Sequence, residues 1–254
     1  MTDFSAAHQQ LIDVVAERPG ARIEEAVVAY EHDGQALEGF AVHDAAASGP
    51  KAAVIVIHDW TGLREYPKAR AHMLARLGYY AFAADVYGVG RRFDNATDSA
   101  AEAGKYYGNP ALMRGRVRAA YDMVASNPAV DKDRIAVIGY CFGGSCALEF
   151  ARTGAALKGV VSYHGALIAH EPAEVDAITA ALLICAGGSD EVVPDQAIVA
   201  FAGELRTRPA LDWQVNLYAG AEHGFTLVGT PHYSPVADGR SWRDSTGFLA
   251  EVLA

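Results

Sequence analysis

Arg134-Ile-Ala-Val-Ile-Gly-Tyr-Cys-Phe-Gly-Gly144 is the stretch on which the reading of this chain turns. Residues 135–139 are short and mostly apolar, the pattern of a strand buried on both faces. The run breaks at Cys141 and passes into a helical stretch at residues 145–152. Gly139, Cys141, Gly143 and Gly144 together give G-x-C-x-G-G. A reactive side chain at the tip of such a strand-to-helix turn sits on strained backbone, and side chains two positions before and after it would collide. Glycine has no Cβ, so the turn closes and the following helix packs tightly. The spacing predicts Cys141 as a nucleophile presented just past a strand end. The alternative is a structural cysteine buried in a glycine-rich turn, since cysteine is among the most buried residue types.

Outward from this turn, the chain alternates strands and helices from Lys51 onward. Residues 53–57 (AVIVI) read as a fully buried strand. Residues 67–77 carry helical spacing at Ala69, Met73, Leu74 and Leu77, with Gly78 as the stop. A strand at residues 79–84 ends at Asp85. Asn109-Pro110 is a cap followed by proline in the first helical position, and the helix runs on through Met113, Val117, Ala120, Tyr121 and Val124. Further strands are predicted at 157–163, 181–185 and 213–218, and further helices at 194–205 and 242–253. Upstream, residues 23–31 and 36–43 flank Asp33-Gly34, a hairpin signal. Residues 4–17 read as a short amphipathic helix with Leu11, Val14 and Val15 on one side, and residues 86–108 as a long irregular loop of the kind that carries function. This order predicts an α/β fold: a mostly parallel central sheet with helices on both faces, an N-terminal hairpin and a short N-terminal helix. Residues 1–20 form an extension, and 21–254 a single domain.

Composition narrows the function classes. The 254 residues are 51% hydrophobic and 20% charged, an ordinary globular balance with room for a large core. A net charge of −10, with no basic run longer than Arg91-Arg92, argues against nucleic acid and against anionic membranes. The three cysteines, Cys141, Cys146 and Cys185, form neither a disulfide framework nor a metal-ligand spacing, so no structural metal is expected, and the triad chemistry expected below needs no organic cofactor. The first residues lack the basic and apolar regions of a signal peptide, and no stretch is apolar enough to span a bilayer. The expectation is a cytoplasmic protein, monomer or homodimer, acting on a small molecule.

A cysteine nucleophile needs a base, and the base needs an orienting group. Two segments supply them. Residues 182–190 are a strand that ends in a glycine turn and Asp190; residues 215–225 are a strand followed by a loop with His223. In open α/β sheets catalytic groups gather outside the carboxyl ends of the strands. Cys141, Asp190 and His223 each fall just past such an end, in the chain order nucleophile, acid, histidine. Alternatives stand beside each: Asp190 closing its own turn, with Glu191 and Asp195 as rival acids, and His223 as an ordinary loop histidine. His58 and His164 also end strands; His164, before Gly165, is read as shaping the pocket floor. An oxyanion needs two backbone N–H groups. Phe142, at the start of the helix after Cys141, supplies one, and Trp60, in the loop after residues 53–57, the other. Tyr140, Phe142, Tyr163, Trp60 and Phe225 are expected as aromatic pocket members or as plain core. Tyr87 is expected at the substrate from the 86–108 loop.

Taken in order, VIVIHDWTGL (54–63), AADVYG (83–88), GYCFGG (139–144), SYHG (162–165), GGSDEVVP (187–194) and the EHGF around His223 resemble the dienelactone hydrolase family of the α/β-hydrolase fold. The resemblance implies a Cys-Asp-His triad of Cys141, Asp190 and His223. It implies a carboxylate interacting with the resting thiol, here Asp59 where the family more often has glutamate; the alternative role for Asp59 is capping its own turn. Members that cleave dienelactone are expected to hold its carboxylate with arginines. Residues 224–228 carry no basic residue, Leu227 included, so Arg91 and Arg92 are the candidates for an anion clamp or are simply solvated.

The expected function is a cysteine hydrolase of small esters or lactones working through a thioester, resembling a carboxymethylenebutenolidase. The alternatives are a thioesterase or acyltransferase on the same triad, and a non-catalytic small-molecule-binding member of the fold.

Overall fold

A computed structural model describes residues 2–254. Among the described residues, eight strands form one sheet in the order β1-β2-β4-β3-β5-β6-β7-β8. The chain divides into two compact units, one running to Ile135 and the other covering Ala136–Ala254.

The first unit begins with helix α1 (Ala6–Ile12) and the hairpin β1 (Ile23–His32) and β2 (Gln35–Asp44). Asp33 and Gly34 both take positive φ, 50° and 74°, so the two-residue turn matches the right-handed twist of its strands. Pairing runs unbroken from Ile23↔Asp44 to His32↔Gln35. Next come β3 (Lys51–Ile57), α2 (Glu65–Arg76) and β4 (Tyr80–Ala84). β4 is antiparallel to β2 and parallel to β3, so the hairpin caps the edge of the parallel part. Every residue of β4 is buried, and so is every residue of β3 after Lys51, as expected for strands covered on both faces.

Helix α3 (Ala96–Tyr107) lies inside the stretch read from sequence as irregular, and this corrects that reading. Its buried side is Ser99, Glu102, Ala103 and Tyr106, with no large aliphatic residue among them to mark it. The start signal is present all the same: the Asn95 side chain accepts from Asp98 N at 2.9 Å. Helix α1 is also shorter than the expected 4–17. It stops at Ile12, whose carbonyl accepts from Arg76 Nη1 at 3.1 Å, and Val14 is 68% exposed rather than packed beside Leu11. Helix α4 (Pro110–Ala125) starts at its predicted cap, Asn109, which accepts from Leu112 N at 3.1 Å. Strand β5 (Val130–Tyr140) carries the chain from the first unit into the second.

The second unit is α5 (Phe142–Ala151), β6 (Gly159–Tyr163), β7 (Ala181–Gly187), α6 (Asp195–Arg206), β8 (Trp213–Tyr218) and α7 (Pro235–Val252). Strands β5, β6, β7 and β8 pair in parallel, each with the next. α7 begins seven residues before the expected 242, because Ser234 accepts from Ala237 N and Pro235 opens the helix.

A buried ion network fixes the loop after β6. Arg152 and Glu204, with side chains 1% and 3% exposed, pair in bidentate fashion at 2.6 and 2.9 Å. Glu204 also accepts from the backbone N–H groups of His170 (3.2 Å) and Glu174 (2.9 Å). Burial pushes the Glu204 carboxyl up, but the Arg152 and backbone hydrogen bonds outweigh it, so its pKa lies below the ordinary value. Such a group stabilises the fold above its unfolded pKa, and that contribution fades as pH falls. Glu204→Gln removes one of two carboxylates around the buried guanidinium, leaving Glu149 Oε1 at 3.2 Å from Arg152 Nε, and a loss of about 1–3 kcal/mol is expected. A denaturant titration reads it; an unchanged midpoint would show that the network does not hold the loop.

Candidate active site

Cys141 stands between β5 and α5 with φ 54° and ψ −116°, a positive φ at a non-glycine residue. Hydrogen bonds on both sides hold it there. Its N–H donates to Tyr163 O at 2.9 Å, continuing the β5–β6 ladder, and its carbonyl accepts from Gly144 N at 2.9 Å, beginning α5. A Cβ on Gly139 would stand 2.0 Å from Gly143 O, and one on Gly144 would stand 2.6 Å from Ser162 Oγ. Both glycines are therefore demanded by close approach. Gly139→Ala pushes backbone against backbone at the turn itself. It is expected to cost about 3 kcal/mol and to lower activity more than stability alone explains. Activity of the folded fraction, measured beside a melting curve, checks this; a folded, fully active variant would contradict it.

Cys141, His223 and Asp190 meet in one line within the second unit. His223 Nε2 lies 3.1 Å from Cys141 Sγ, and His223 Nδ1 lies 2.9 Å from Asp190 Oδ2. The other Asp190 oxygen, Oδ1, accepts from Val192 N and Val193 N, both at 2.9 Å. Asp190 thus closes its own turn with one oxygen and faces the histidine with the other. Its side chain is 1% exposed and that of His223 23%, so the carboxylate is sealed while the ring reaches solvent. Burial lowers the His223 pKa, but the hydrogen bonds to Asp190 and Cys141 outweigh it and lift it from 6.5 to about 10.

His164 sits beside this line. Its φ is 39°, and Nε2 is 2.8 Å from Thr226 Oγ1. Its ring meets that of His223 edge-on, with centroids 5.3 Å apart, and that of Phe225 likewise. Sequence reasoning passes over Thr226, because a lone threonine after Phe225 carries no spacing signal. Tyr140, Phe142, Tyr163 and Phe225 are all buried, with Tyr140 stacked on Tyr163 at 4.5 Å; in this conformation they support the turn from within. Cys146 and Cys185 are buried. Burial raises the Cys146 thiol and pushes Cys185 up to about 12, which leaves both inert.

In the first unit, the loops after β3 and β4 are tied together. His58 Nδ1–H donates to Asp59 O at 2.6 Å and Nε2 accepts from Val86 N at 3.1 Å, the pattern of a neutral ring; burial lowers its pKa. Tyr87 Oη donates to Trp60 O at 3.2 Å. Asp59 Oδ1 accepts from both the N–H and the hydroxyl of Thr61, at 2.7 and 2.6 Å, so Asp59 does cap its own turn. The Arg91 guanidinium pairs with buried Glu102, and Arg92 Nε donates to Leu63 O at 2.6 Å. Trp60 is partly exposed, whereas Asp59 and Tyr87 are buried.

The family model described as "Dienelactone hydrolase family" matches residues 37–253. Among solved structures, the dienelactone hydrolase-like promiscuous phosphotriesterase P91 from metagenomic libraries is 35% identical, covers 92% of this chain and 100% of its own, and superposes with a TM-score of 0.87. A protein of Escherichia coli (strain K12) named "Putative carboxymethylenebutenolidase" is 24% identical over 94% of this chain and 92% of its own length. The Caenorhabditis elegans protein K02A2.1 is 29% identical over 56% of this chain and 95% of its own.

Proposed function

The chain belongs to the dienelactone hydrolase family, and from that premise we propose that it is a cysteine-dependent hydrolase of small esters or lactones. The observation that carries this reading is the unbroken line Cys141 Sγ, His223 Nε2, His223 Nδ1, Asp190 Oδ2 with spacings of 3.1 and 2.9 Å. His223 holds the proton of the Cys141 thiol, and the thiolate attacks the carbonyl carbon. Charge develops on the carbonyl oxygen, where the N–H of Phe142, at the positive end of α5, receives it. The tetrahedral centre collapses to a thioester as His223 protonates the departing alkoxide, which stays tethered when the substrate is a lactone. Water, deprotonated by His223, attacks the thioester and releases the acid and the thiol. Asp190 keeps the ring in the tautomer that accepts at Nε2 and stabilises the imidazolium. No step calls on a metal or an organic cofactor.

The charge pattern selects among substrates. Arg91 pairs with Glu102, which Lys105 also contacts at 2.7 Å, and Arg92 is anchored on a carbonyl. A substrate carboxylate has to compete with Glu102 for the guanidinium. We therefore assign the site to neutral lactones and short-chain esters ahead of anionic ones such as dienelactone. Asp59 acts as the cap of the Trp60 loop.

A panel of small lactones and aryl esters, with and without a carboxylate, tests this. Faster turnover of the neutral members supports the assignment, and a strong preference for anionic members would give the arginines back their clamp role. Product analysis with added thiols or alcohols separates hydrolysis from acyl transfer. A second reading is favoured by the 35% identity to P91: the same thiolate attacking the phosphorus of a neutral phosphotriester. Release of 4-nitrophenol from diethyl 4-nitrophenyl phosphate would support it.

A further inference from the structure

We propose that Cys141, His164 and His223 together form a binding site for a soft divalent cation of the Zn2+ type, which shuts the active site by occupying its nucleophile and its base at once. One donor atom from each residue lies within 4.8 Å of the other two. Tetrahedral zinc, with bonds of about 2.3 Å to sulfur and about 2.0–2.1 Å to nitrogen, sets its ligand atoms roughly 3.4–3.6 Å apart. His223 Nε2 and Cys141 Sγ, 3.1 Å apart, stand near that spacing, and the other donor pairs lie within 4.8 Å.

The ligand chemistry is as telling as the spacing. One thiolate and two imidazoles suit Zn2+ and exclude Mg2+ or Ca2+, which take oxygen donors. Ligating histidines are oriented by a partner on the far ring nitrogen. Both histidines have one. Asp190 Oδ2 is 2.9 Å from His223 Nδ1, which directs Nε2 at the cation. Thr226 Oγ1 is 2.8 Å from His164 Nε2, which makes Nδ1 the ligating atom of that ring. The carboxylate that orients a catalytic base thus equally serves a carboxylate–histidine–metal unit. Three protein ligands leave a fourth position for water. Cys141 and His223 are partly exposed, which gives the cation a way in, while His164 is buried behind them.

His164 adds the independent observation. The proposed relay runs from Cys141 through His223 to Asp190 and does not need it, yet His164 is kept at φ 39°, a conformation uncommon for a side-chain-bearing residue. Backbone strain of this kind persists where surroundings over-determine it, commonly at binding sites. Sequence spacing hides the set, because its members come from the ends of three different strands.

The inhibition rests on the cysteine-hydrolase reading; the binding does not, and the experiment separates them. The full chain is titrated with Co2+, whose bond to thiolate absorbs in the near ultraviolet, and Zn2+ is then used to displace it. Wild type is expected to bind one ion per chain with the thiolate band. Cys141→Ala is expected to lose the band, and His164→Asn, which tolerates positive φ, to bind at least about 10-fold more weakly. Thr226→Val, tested alongside, is expected to weaken binding in the same direction by removing the ring's orienting partner. In the parallel assay with a neutral aryl ester, Zn2+ is expected to inhibit competitively and a chelator to restore the rate. Absence of the thiolate band, or affinity unmoved by His164→Asn and Thr226→Val, overturns the site even if the esterase is active. A thiolate band in a chain that hydrolyses nothing upholds the metal site and overturns the hydrolase.

Discussion

Exchange of Cys141 for alanine is expected to remove ester hydrolysis, lowering kcat by a factor on the order of 10^5–10^6, close to the background of the uncatalysed reaction. In the proposed mechanism the thiolate forms the covalent bond that divides one difficult hydrolysis into two easier steps, so nothing else in the line can replace it. His223 and Asp190 remain, but a histidine activating water directly lacks the thioester path and is placed for Sγ rather than for a water against the carbonyl. The loss will not be a folding artefact. Alanine keeps the Cβ and the backbone at φ 54°, and the hydrogen bonds that hold the turn, Cys141 N to Tyr163 O and Gly144 N to Cys141 O, are backbone bonds that survive the change. A melting temperature near that of wild type beside an absent rate is the expected pair of results. Wild type, acylated by a slow ester and quenched in acid, should carry one acyl group on a cysteine peptide. A variant that keeps more than about one per cent of the wild-type rate would remove Cys141 from the mechanism, and with it the thioester.

Which parts of this protein are legible in its sequence follows from how local each signal is. The turn at Cys141 is written in consecutive residues, because the steric demand at Gly139 and Gly144 comes from the same few ångströms of backbone. The hairpin around Asp33-Gly34 and the cap at Asn109-Pro110 are local in the same way. Strand β8 occupies the residues, 213–218, that its β-branched and aromatic pattern marks out. The line from Cys141 to Asp190 is legible for a topological reason: three strand ends in one parallel sheet deliver their loops to one side. What escapes notice depends on partners distant in sequence. Helix α3 buries few apolar groups, and Glu102 on it meets Arg91 only once the loop has folded back. Arg91 read alone is a free cation ready for a carboxylate; read beside Glu102 it is half of an ion pair. Thr226 has no mark of its own until His164 is placed against it. The limits of helix α1 depend on Arg76 at its carboxyl end, a contact across 64 positions of sequence that no window reads.

Asp190→Asn is expected to lower kcat by about 10^3–10^4 while leaving the fold almost untouched, and the reason lies in how the carboxylate divides its two oxygens. Oδ1 accepts two backbone N–H groups, from Val192 and Val193. In asparagine only the carbonyl oxygen accepts, so it keeps that position and the amide NH2 turns toward His223. The amide donates to Nδ1, which becomes an acceptor; the ring proton moves to Nε2 and points at Cys141. A ring in that tautomer takes no proton from the thiol. The shape of the site is preserved and its polarity reversed, so the loss falls on kcat rather than on substrate binding. The pH profile supplies a second readout. His223 titrates at about 10, and the rate of wild type should fall as the pH rises through that value, because the imidazolium that protonates the leaving alkoxide is lost. The hydrogen bond from Asp190 is part of what holds that proton, so the alkaline limb of the residual activity should move to lower pH in the variant. Stability moves with it. A histidine raised from 6.5 to about 10 stabilises the folded chain fully below its unfolded pKa and progressively less as pH climbs through the folded one. That contribution should shrink in Asp190→Asn at neutral pH and be absent from both proteins above pH 10. A variant with a wild-type rate, or with an unshifted alkaline limb, would show that Asp190 only closes its turn and that the orienting acid lies elsewhere.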